Sequence, residues 1–236
     1  MSYTFIFSLQ MVVFFCFFLI EKILPARSLP RNKGILQWLI IVNFFALIWS
    51  SFYYAVWPNL PEGFFSSDLT AVESGFALYF LYSFLNYWWH RFKHQNRSLW
   101  FHVHRFHHCP SKMESILAFF RHPVEIVLNT LLIGFFAWFF SFPIFAIAMA
   151  LVIEGIFEVY HHSNIKTPKK LRFISHVIQT TEMHLVHHQK GVHRYNYGTL
   201  SLWDTIFGTK NIPSEWSGEQ GIDIPYGFKR LFFYKS

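Results

Sequence analysis

The sequence predicts an all-α protein, a polytopic membrane helix bundle of about four to five spans with a cytosolic helical cap that holds a histidine-rich dimetal centre. Three observations predict this architecture. The chain is 53% hydrophobic and only 14% charged, which is too apolar for an ordinary soluble domain. The apolar residues fall in long stretches, and a helix needs roughly 20 of them to cross a bilayer. Three histidine clusters, finally, each lie past such a stretch.

Five apolar stretches are candidate membrane segments, at residues 3–20, 35–57, 69–89, 124–140 and 143–157. The last two are short and are separated only by Ser141 and Phe142. They therefore predict a tight helical hairpin that enters the membrane and returns to the side it left. A chain of 236 residues suits one domain. We expect a single domain over 1–236, with its histidine core at about 75–210.

The basic residues predict the orientation. If the last two segments form a hairpin, all twenty Lys and Arg residues fall on one side of the membrane, which the positive-inside rule makes cytoplasmic. The N-terminus then lies on the opposite side, in a bacterial inner membrane or the endoplasmic reticulum. The net charge of +7 belongs to a face near anionic lipid and indicates no nucleic-acid partner. The mixed apolar and basic segment 224–235 is expected to rest on the headgroups.

The three histidine clusters have the spacing of metal-binding boxes. Neighbours three and four residues apart on a helix lie within an arc of about 100° and on the order of 6 Å along the axis. Neutral imidazole is a common ligand of iron, zinc and copper. The spacing therefore predicts shared metal ions. His162 is predicted as a ninth ligand, because it lies at the cytoplasmic end of the fifth apolar stretch and four residues after Glu158. The nine candidate ligands are His90, His94, His104, His107, His108, His162, His184, His187 and His188.

Plainer roles are open for several of these residues. His90 and His94 alone could be interfacial anchors at a helix exit, like the neighbouring Trp88. His122 could pair with Glu125 or cap the fourth membrane helix. The turn-forming residues after the last box could be a simple loop and helix start.

The boxes and their surroundings resemble the membrane fatty acid hydroxylase and sterol desaturase superfamily. The pattern H-x-x-x-H, H-x-x-H-H and H-x-x-H-H of that superfamily matches the three histidine clusters in the same order. Further elements of the family lie at Glu21 and at residues 25–27, 121–125, 162–164, 196–198, 203–204 and 207–209. The resemblance runs from about Glu21 to Thr209.

This resemblance implies two iron ions, with zinc as a possible substitute in purified protein, and O₂ as the co-substrate. The implied substrate is a membrane lipid. The electrons would come from a cytochrome b5, a ferredoxin or a reductase, because the chain has no haem, flavin or iron–sulfur motif. Residues that could orient the ligands are His122, Glu125, Glu158, His161, Asn196 and Asp204, and a ligand role is the less favoured alternative for His161 and His122.

Hydroxylation of an unactivated C–H bond is the leading expectation. Desaturation and ether-lipid oxidation are alternatives on the same centre. A zinc-dependent membrane hydrolase is a rival, although no H-E-x-x-H motif is present. A metal carrier or channel is a second rival hypothesis. In such a protein we would expect the ligands to be spread along the membrane segments.

Overall fold

The computed structural model describes residues 2–28, 32, 34–213 and 215–222. Over these residues the fold is helical, as predicted, and the only β-type pairing is one isolated bridge between Gln189 and Gln220. The α-helices are α1 (Tyr3–Ile23), α2 (Ile35–Val56), α3 (Ala71–Gln95), α4 (Arg97–His102), α5 (Pro123–Phe139), α6 (Ile144–His162), α7 (Thr181–His187) and α8 (Ser201–Ile206). Short 3₁₀ helices lie at Trp57–Asn59, His104–Phe106, Ser115–Phe119 and Lys169–His176.

The longest helix, α3, carries the first histidine box out of the bundle. It begins at a capping box, in which the Thr70 hydroxyl accepts from the Glu73 backbone N–H and the Glu73 carboxylate accepts from the Thr70 N–H. From there it continues without a break to Gln95, so His90 and His94 occupy its last two turns. The position of the box therefore follows from where α3 starts and how long it is.

Helices α5 and α6 form the predicted hairpin. Ser141 lies in the turn at a positive φ of 51°, and the Phe142 N–H donates to the Ala137 carbonyl at 2.7 Å. The Trp138 indole donates to the Pro61 carbonyl at 2.8 Å, which ties the hairpin tip to the loop after α2. The start of α5 and the end of α6 consequently lie at the same end of the bundle.

Helix α6 is the centre of the bundle, whereas α1 and α2 are peripheral. By length and composition, three helices in the described part of the chain could cross a membrane, at Tyr3–Ile23, Ile35–Asn59 and Ile144–His162. Only 6% and 17% of the first two are buried, against 56% of the third, so α1 and α2 present apolar side chains outward. Helix α3, although predicted as a span, is not among the three. It buries Ser74, Ser83 and Asn86 against its neighbours.

Close contact between α3 and α6 is made possible by a small residue. A Cβ atom at Gly75 would lie 2.5 Å from the Met149 sulfur and 3.0 Å from the Met149 Cβ, so a larger residue at this position would displace the Met149 side chain. The two long helices are thereby held side by side, and both end at the histidines. The predicted headgroup segment 224–235, with Arg31 and Lys33, lies outside the described residues.

Candidate metal centre

The nine predicted ligands meet at one end of the bundle in two groups. The five-histidine group consists of His90, His94, His104, His108 and His187, and the four-histidine group of His107, His162, His184 and His188. Within each group one ring nitrogen from every histidine lies within 4.8 Å of the others. The structure thus brings together every histidine that the spacing singled out; their role as ligands stays a prediction.

The second and third histidine boxes are each divided between the two groups. The spacing argument treated every box as a single helical face, but α4 ends at His102 and the second box lies on the 3₁₀ turn His104–Phe106 and the two residues after it. His107 therefore faces the four-histidine group while its neighbours in the box face the other.

The third box does form a helix, and it is divided as well. His184 and His188 are about 40° apart around an α-helix, whereas His187 lies about 60° from His184 on its other side. His187 accordingly joins the five-histidine group. Each triad contributes to both groups, which the sequence interpretation did not foresee.

Six of the nine rings are held through Nδ1 by an oxygen acceptor. The acceptors are the Tyr197 carbonyl for His90 (2.7 Å), the Tyr195 carbonyl for His187 (2.8 Å), the Phe120 carbonyl for His107 (3.0 Å), the Glu158 carbonyl for His162 (2.9 Å), Gln179 Oε1 for His184 (2.9 Å) and the Glu125 carboxylate for His104 (3.2 Å). A carbonyl or carboxylate oxygen only accepts, so Nδ1 carries the hydrogen. In a neutral ring Nε2 is then a bare lone pair.

These lone pairs point at one another. The Nε2–Nε2 distances are 2.9 Å for His90 and His104, 3.1 Å for His90 and His187, 3.2 Å for His107 and His162, and 3.1 Å for His162 and His184. Two lone pairs form no hydrogen bond, so the convergence needs a cation between them. Two nitrogens about 2.1 Å from one ion and at a right angle to each other are about 3 Å apart. The residues present therefore fit a divalent metal in each group.

Burial keeps the imidazoles neutral. It lowers the pKa of His104 to about 3 and that of His107 to about 4. It also holds the pKa values of His184, His187 and His188 well below the ordinary range. Protons do not compete with a metal for these nitrogens near neutral pH.

Each group has one carboxylate beside a histidine ring, and each carboxylate is paired with a cation. Glu125 faces His104 and binds the buried Lys93 ammonium at 2.5 Å. Glu158 lies 3.3 Å from His162 Nδ1 and binds the Arg121 guanidinium at 2.7 Å. Both acids lie where a residue supporting the ligands was expected. Each pair is electrically balanced.

His161 lies beside the four-histidine group. Its ring centroid is 4.2 Å from that of His184, and its Nε2 is 3.3 Å from Glu158. His122 caps α5, where its Nδ1 accepts from the Val124 N–H at 3.2 Å. This is one of the two plain roles anticipated for it.

Asn196 and Asp204 act one step away from the histidines. The Asp204 carboxylate accepts from the Tyr197 and Gly198 N–H groups, both at 2.8 Å. The Asn196 amide donates to the Met183 carbonyl, also at 2.8 Å. Asn196 and Asp204 therefore shape the loop that supplies the carbonyls for His90 and His187. Among the described residues, no hydrogen bond joins either of them to a histidine side chain.

The structure adds several contacts near the histidines. His193 is on a loop and lies over the five-histidine group, with its ring centroid 5.0 Å from His108 and 4.8 Å from Trp100. Lys93 and Gln179 were not singled out. Lys93 lies inside the first box, and Gln179 lies just before the third. This closeness to a box in the sequence is the one local signal that could have identified them.

Comparison with known proteins gives a family and several distant relatives. A model of the fatty acid hydroxylase family matches residues 75–209. Very-long-chain aldehyde decarbonylases GL1-9 of Oryza sativa subsp. indica and subsp. japonica are each 31% identical over 126 residues, or 52% of this chain and 48% of theirs. A protein of Arabidopsis thaliana provisionally named Delta(7)-sterol-C5(6)-desaturase 2 is 28% identical over 219 residues, 84% of this chain and 74% of its own. The chain spans about half the length of the decarbonylases it matches. No solved structure matches it.

Proposed function

The chain belongs to the fatty acid hydroxylase family, and from that premise we propose that it uses two iron ions and O₂ to oxidise an unactivated C–H bond of a membrane lipid, by hydroxylation. The observation that carries the proposal is the convergence of nine imidazoles in two adjoining groups. One ion would bind in each group. Their neutral ligands suit a centre that has to become strongly oxidising.

Iron bound in these groups would supply the oxidising power for the C–H bond. The protein's own part is to orient the rings and to exclude water. The carbonyls of Tyr195 and Tyr197 fix two rings of the five-histidine group. Glu125 and Glu158 each face a ring nitrogen, and such contacts raise ligand basicity and hold the tautomer.

The proposed reaction consumes one lipid C–H bond, one O₂, two electrons and two protons, and yields an alcohol and water. Both electrons would be supplied by an electron donor. A cytochrome b5, a ferredoxin or a dedicated reductase would serve.

The position of the histidines suits a lipid substrate. They lie at the ends of α3 and α6, where an apolar bundle gives way to a polar cap. A chain entering from the bilayer would place its reactive carbon at this boundary. We propose that this end faces the cytoplasm, because the twenty basic residues would otherwise break the positive-inside rule.

Desaturation is the second candidate. It is favoured by the Arabidopsis thaliana relative, named as a sterol desaturase, which aligns with 84% of this chain. The same centre suits both reactions, since they differ in the fate of the substrate carbon once its first hydrogen has left.

The two rivals outside oxygenase chemistry fit less well. A zinc hydrolase needs a free carboxylate base beside an open ligand position, yet Glu125 and Glu158 are each bound by a cation. A metal carrier needs ligands along the membrane segments, whereas the two groups lie together at one end of the bundle.

Lipid profiling under ¹⁸O₂ tests the proposal. Cells that express the protein, its His107→Ala variant or neither would be compared, with His102→Ala as the matched control because His102 is exposed and outside both groups. A labelled alcohol that needs His107 but not His102 supports hydroxylation. An unlabelled alkene with the same dependence supports desaturation.

Metal analysis of anaerobically purified protein distinguishes the rivals. We expect two irons per chain and O₂ consumption that depends on lipid and reductant. Zinc alone, with turnover in the absence of O₂, would refute the oxygenase proposal.

A further inference from the structure

A second site lies at the same end of the bundle, apart from the histidines. It is a cavity of about 210 Å³, a few residues beyond the ends of two neighbouring membrane helices. Arg27 follows the end of α1 at Ile23, and Lys166 follows the end of α6 at His162. Both residues line the cavity, which therefore lies at the depth of the lipid headgroups.

The backbone around this cavity is firmly built. The Ala26 N–H donates to the Asn164 carbonyl at 2.8 Å, and the Asn164 amide donates to the Arg27 carbonyl at 2.9 Å. The buried Glu21 carboxylate accepts from the Asn164 N–H at 3.0 Å. Two sequence elements outside the histidine boxes, 25–27 and 162–164, thus join to hold the Arg27 backbone in one place.

Among the described residues the Arg27 guanidinium has no hydrogen-bond acceptor. All three of its nitrogens are buried, and none of them makes a hydrogen bond to that part of the chain. The group instead lies over the Trp216 ring, 5.1 Å from its centroid. Burial lowers the pKa of Arg27 to about 10. A buried cation with no hydrogen-bond partner is costly, and such groups normally have a partner that satisfies them.

The other charges leave the cavity net positive. Lys166 and Arg172 add to Arg27, against Glu182 and Glu215. The Glu182 carboxylate already accepts from the Thr167 N–H at 2.8 Å and the Thr181 hydroxyl at 3.1 Å. In the described part of the chain it forms no salt bridge with Arg27, although its charge raises the pKa of Arg27 against the effect of burial.

An apolar and basic surface adjoins the cavity. The 3₁₀ helix Lys169–His176, which contributes Arg172 to the lining, leaves Leu171 46% and Phe173 66% exposed. Exposed Lys169 and Lys170 stand beside them. Apolar side chains among lysines are the pattern of a segment that lies in the membrane interface.

We infer that this cavity binds the phosphate of an anionic phospholipid in the surrounding leaflet. Arg27 would turn from Trp216 to bind two phosphate oxygens, as its planar fork favours. Lys166 would add a second contact, and the acyl chains would lie along Leu171 and Phe173. This lipid is distinct from the substrate, since the cavity meets α7 at Glu182 and Leu185 and not at its histidines. Inorganic phosphate offers the same chemistry from the aqueous side.

The test measures lipid selectivity and needs no enzymatic activity. Full-length protein in phosphatidylcholine nanodiscs would be titrated with spin-labelled phosphatidylglycerol. Arg27→Gln should lower the preference for phosphatidylglycerol over phosphatidylcholine about tenfold, the value of one charged hydrogen bond. Lys169→Gln, which removes an exposed charge outside the cavity lining, should change it less than twofold.

A second Arg27 variant and a competition with inorganic phosphate complete the test. Arg27→Lys keeps the charge without the fork and should retain part of the preference; it replaces Arg27→Gln if that variant does not fold. Millimolar inorganic phosphate should leave the bound lipid in place. Displacement by phosphate would overturn the lipid as the occupant. Equal selectivity in wild type and both Arg27 variants, or an equal loss in Lys169→Gln, would overturn the site.

Discussion

The five-histidine and four-histidine groups differ in how far they are closed off from the surroundings. His90 and His94 of the first group are only partly buried, and the loop residue His193 lies over that group. All four members of the second group are buried. The pair thus consists of one enclosed site and one site near the surface. We expect the enclosed ion to be the more firmly held and the other to be the more open to exchange.

In their charges the two groups are alike. Each has one carboxylate facing a ring nitrogen, and each carboxylate is bound by one cation. The pairs differ in exposure, however. The side chains of Lys93 and Glu125 are 3% and 1% exposed, against 19% and 12% for Arg121 and Glu158. The better-buried pair belongs to the group that is otherwise closer to the surface.

The largest expected effect is loss of a ligand. His107→Ala in the enclosed group, or His94→Ala in the open one, should reduce turnover by more than about 100-fold, because loss of a residue that merely supports a ligand costs about 10–100-fold. Iron content should fall in both variants, as measured by elemental analysis. His102→Ala should keep activity and metal. Full turnover in His107→Ala would disprove the metal assignment.

Breaking the two ion pairs should lower the free energy of unfolding by different amounts in the two groups. Lys93→Met leaves the Glu125 carboxylate buried and unpaired and should cost about 3–5 kcal/mol in free energy of unfolding. Arg121→Met should cost less, because Glu158 is better exposed. Denaturation in detergent would measure both. The double variant Lys93→Met/Glu125→Gln should recover most of the loss. A single Lys93→Met variant as stable as wild type would contradict the paired-charge interpretation.

Removal of metal should show two phases. With a coloured chelator in excess, the ion of the five-histidine group should leave first. The second should follow on the order of tenfold more slowly, equivalent to about 1.4 kcal/mol of additional opening free energy. Stopped-flow absorbance would resolve the phases. A single phase for both ions would show that the difference in burial does not control release.

The smallest expected effect lies at the loop over the open group. His193→Ala removes a ring that stands against His108 and Trp100. It should speed the fast phase about threefold and leave the slow phase unchanged. A threefold change in rate corresponds to less than half of the about 1.4 kcal/mol of a tenfold change. His176→Ala, an exposed histidine outside both groups, is the control. Acceleration of both phases would mean that the loop holds the whole centre together.

Eight of the nine converging histidines could be identified from the boxes, because a spacing of three and four residues is a local property of the chain. His162 was identified from its position after the fifth apolar stretch. The α5–α6 hairpin was predictable for a similar reason, from two short apolar runs with a two-residue break. Family membership followed from the same boxes and the elements around them.

The division of the boxes between two groups was not predictable, because it depends on tertiary packing. After α4 the backbone turns at Val103, with φ −128° and ψ −66°, and the Phe106 ring stacks on Phe120 at 4.2 Å. That contact joins residues fourteen apart in sequence and sets where His107 points. The partner of Lys93, Glu125, is likewise remote in the chain, so the residues around Lys93 do not identify it.

The splitting of the boxes limits how far apart the two histidine groups can lie. His107 and His108 are neighbours in sequence but belong to different groups. The same holds for His187 and His188. Adjacent α-carbons are about 3.8 Å apart in any trans peptide. Two pairs of neighbouring α-carbons therefore keep the two groups next to each other, and the side-chain rotamers set the remaining distance. Inserting one residue at either point would put both sites out of register at once.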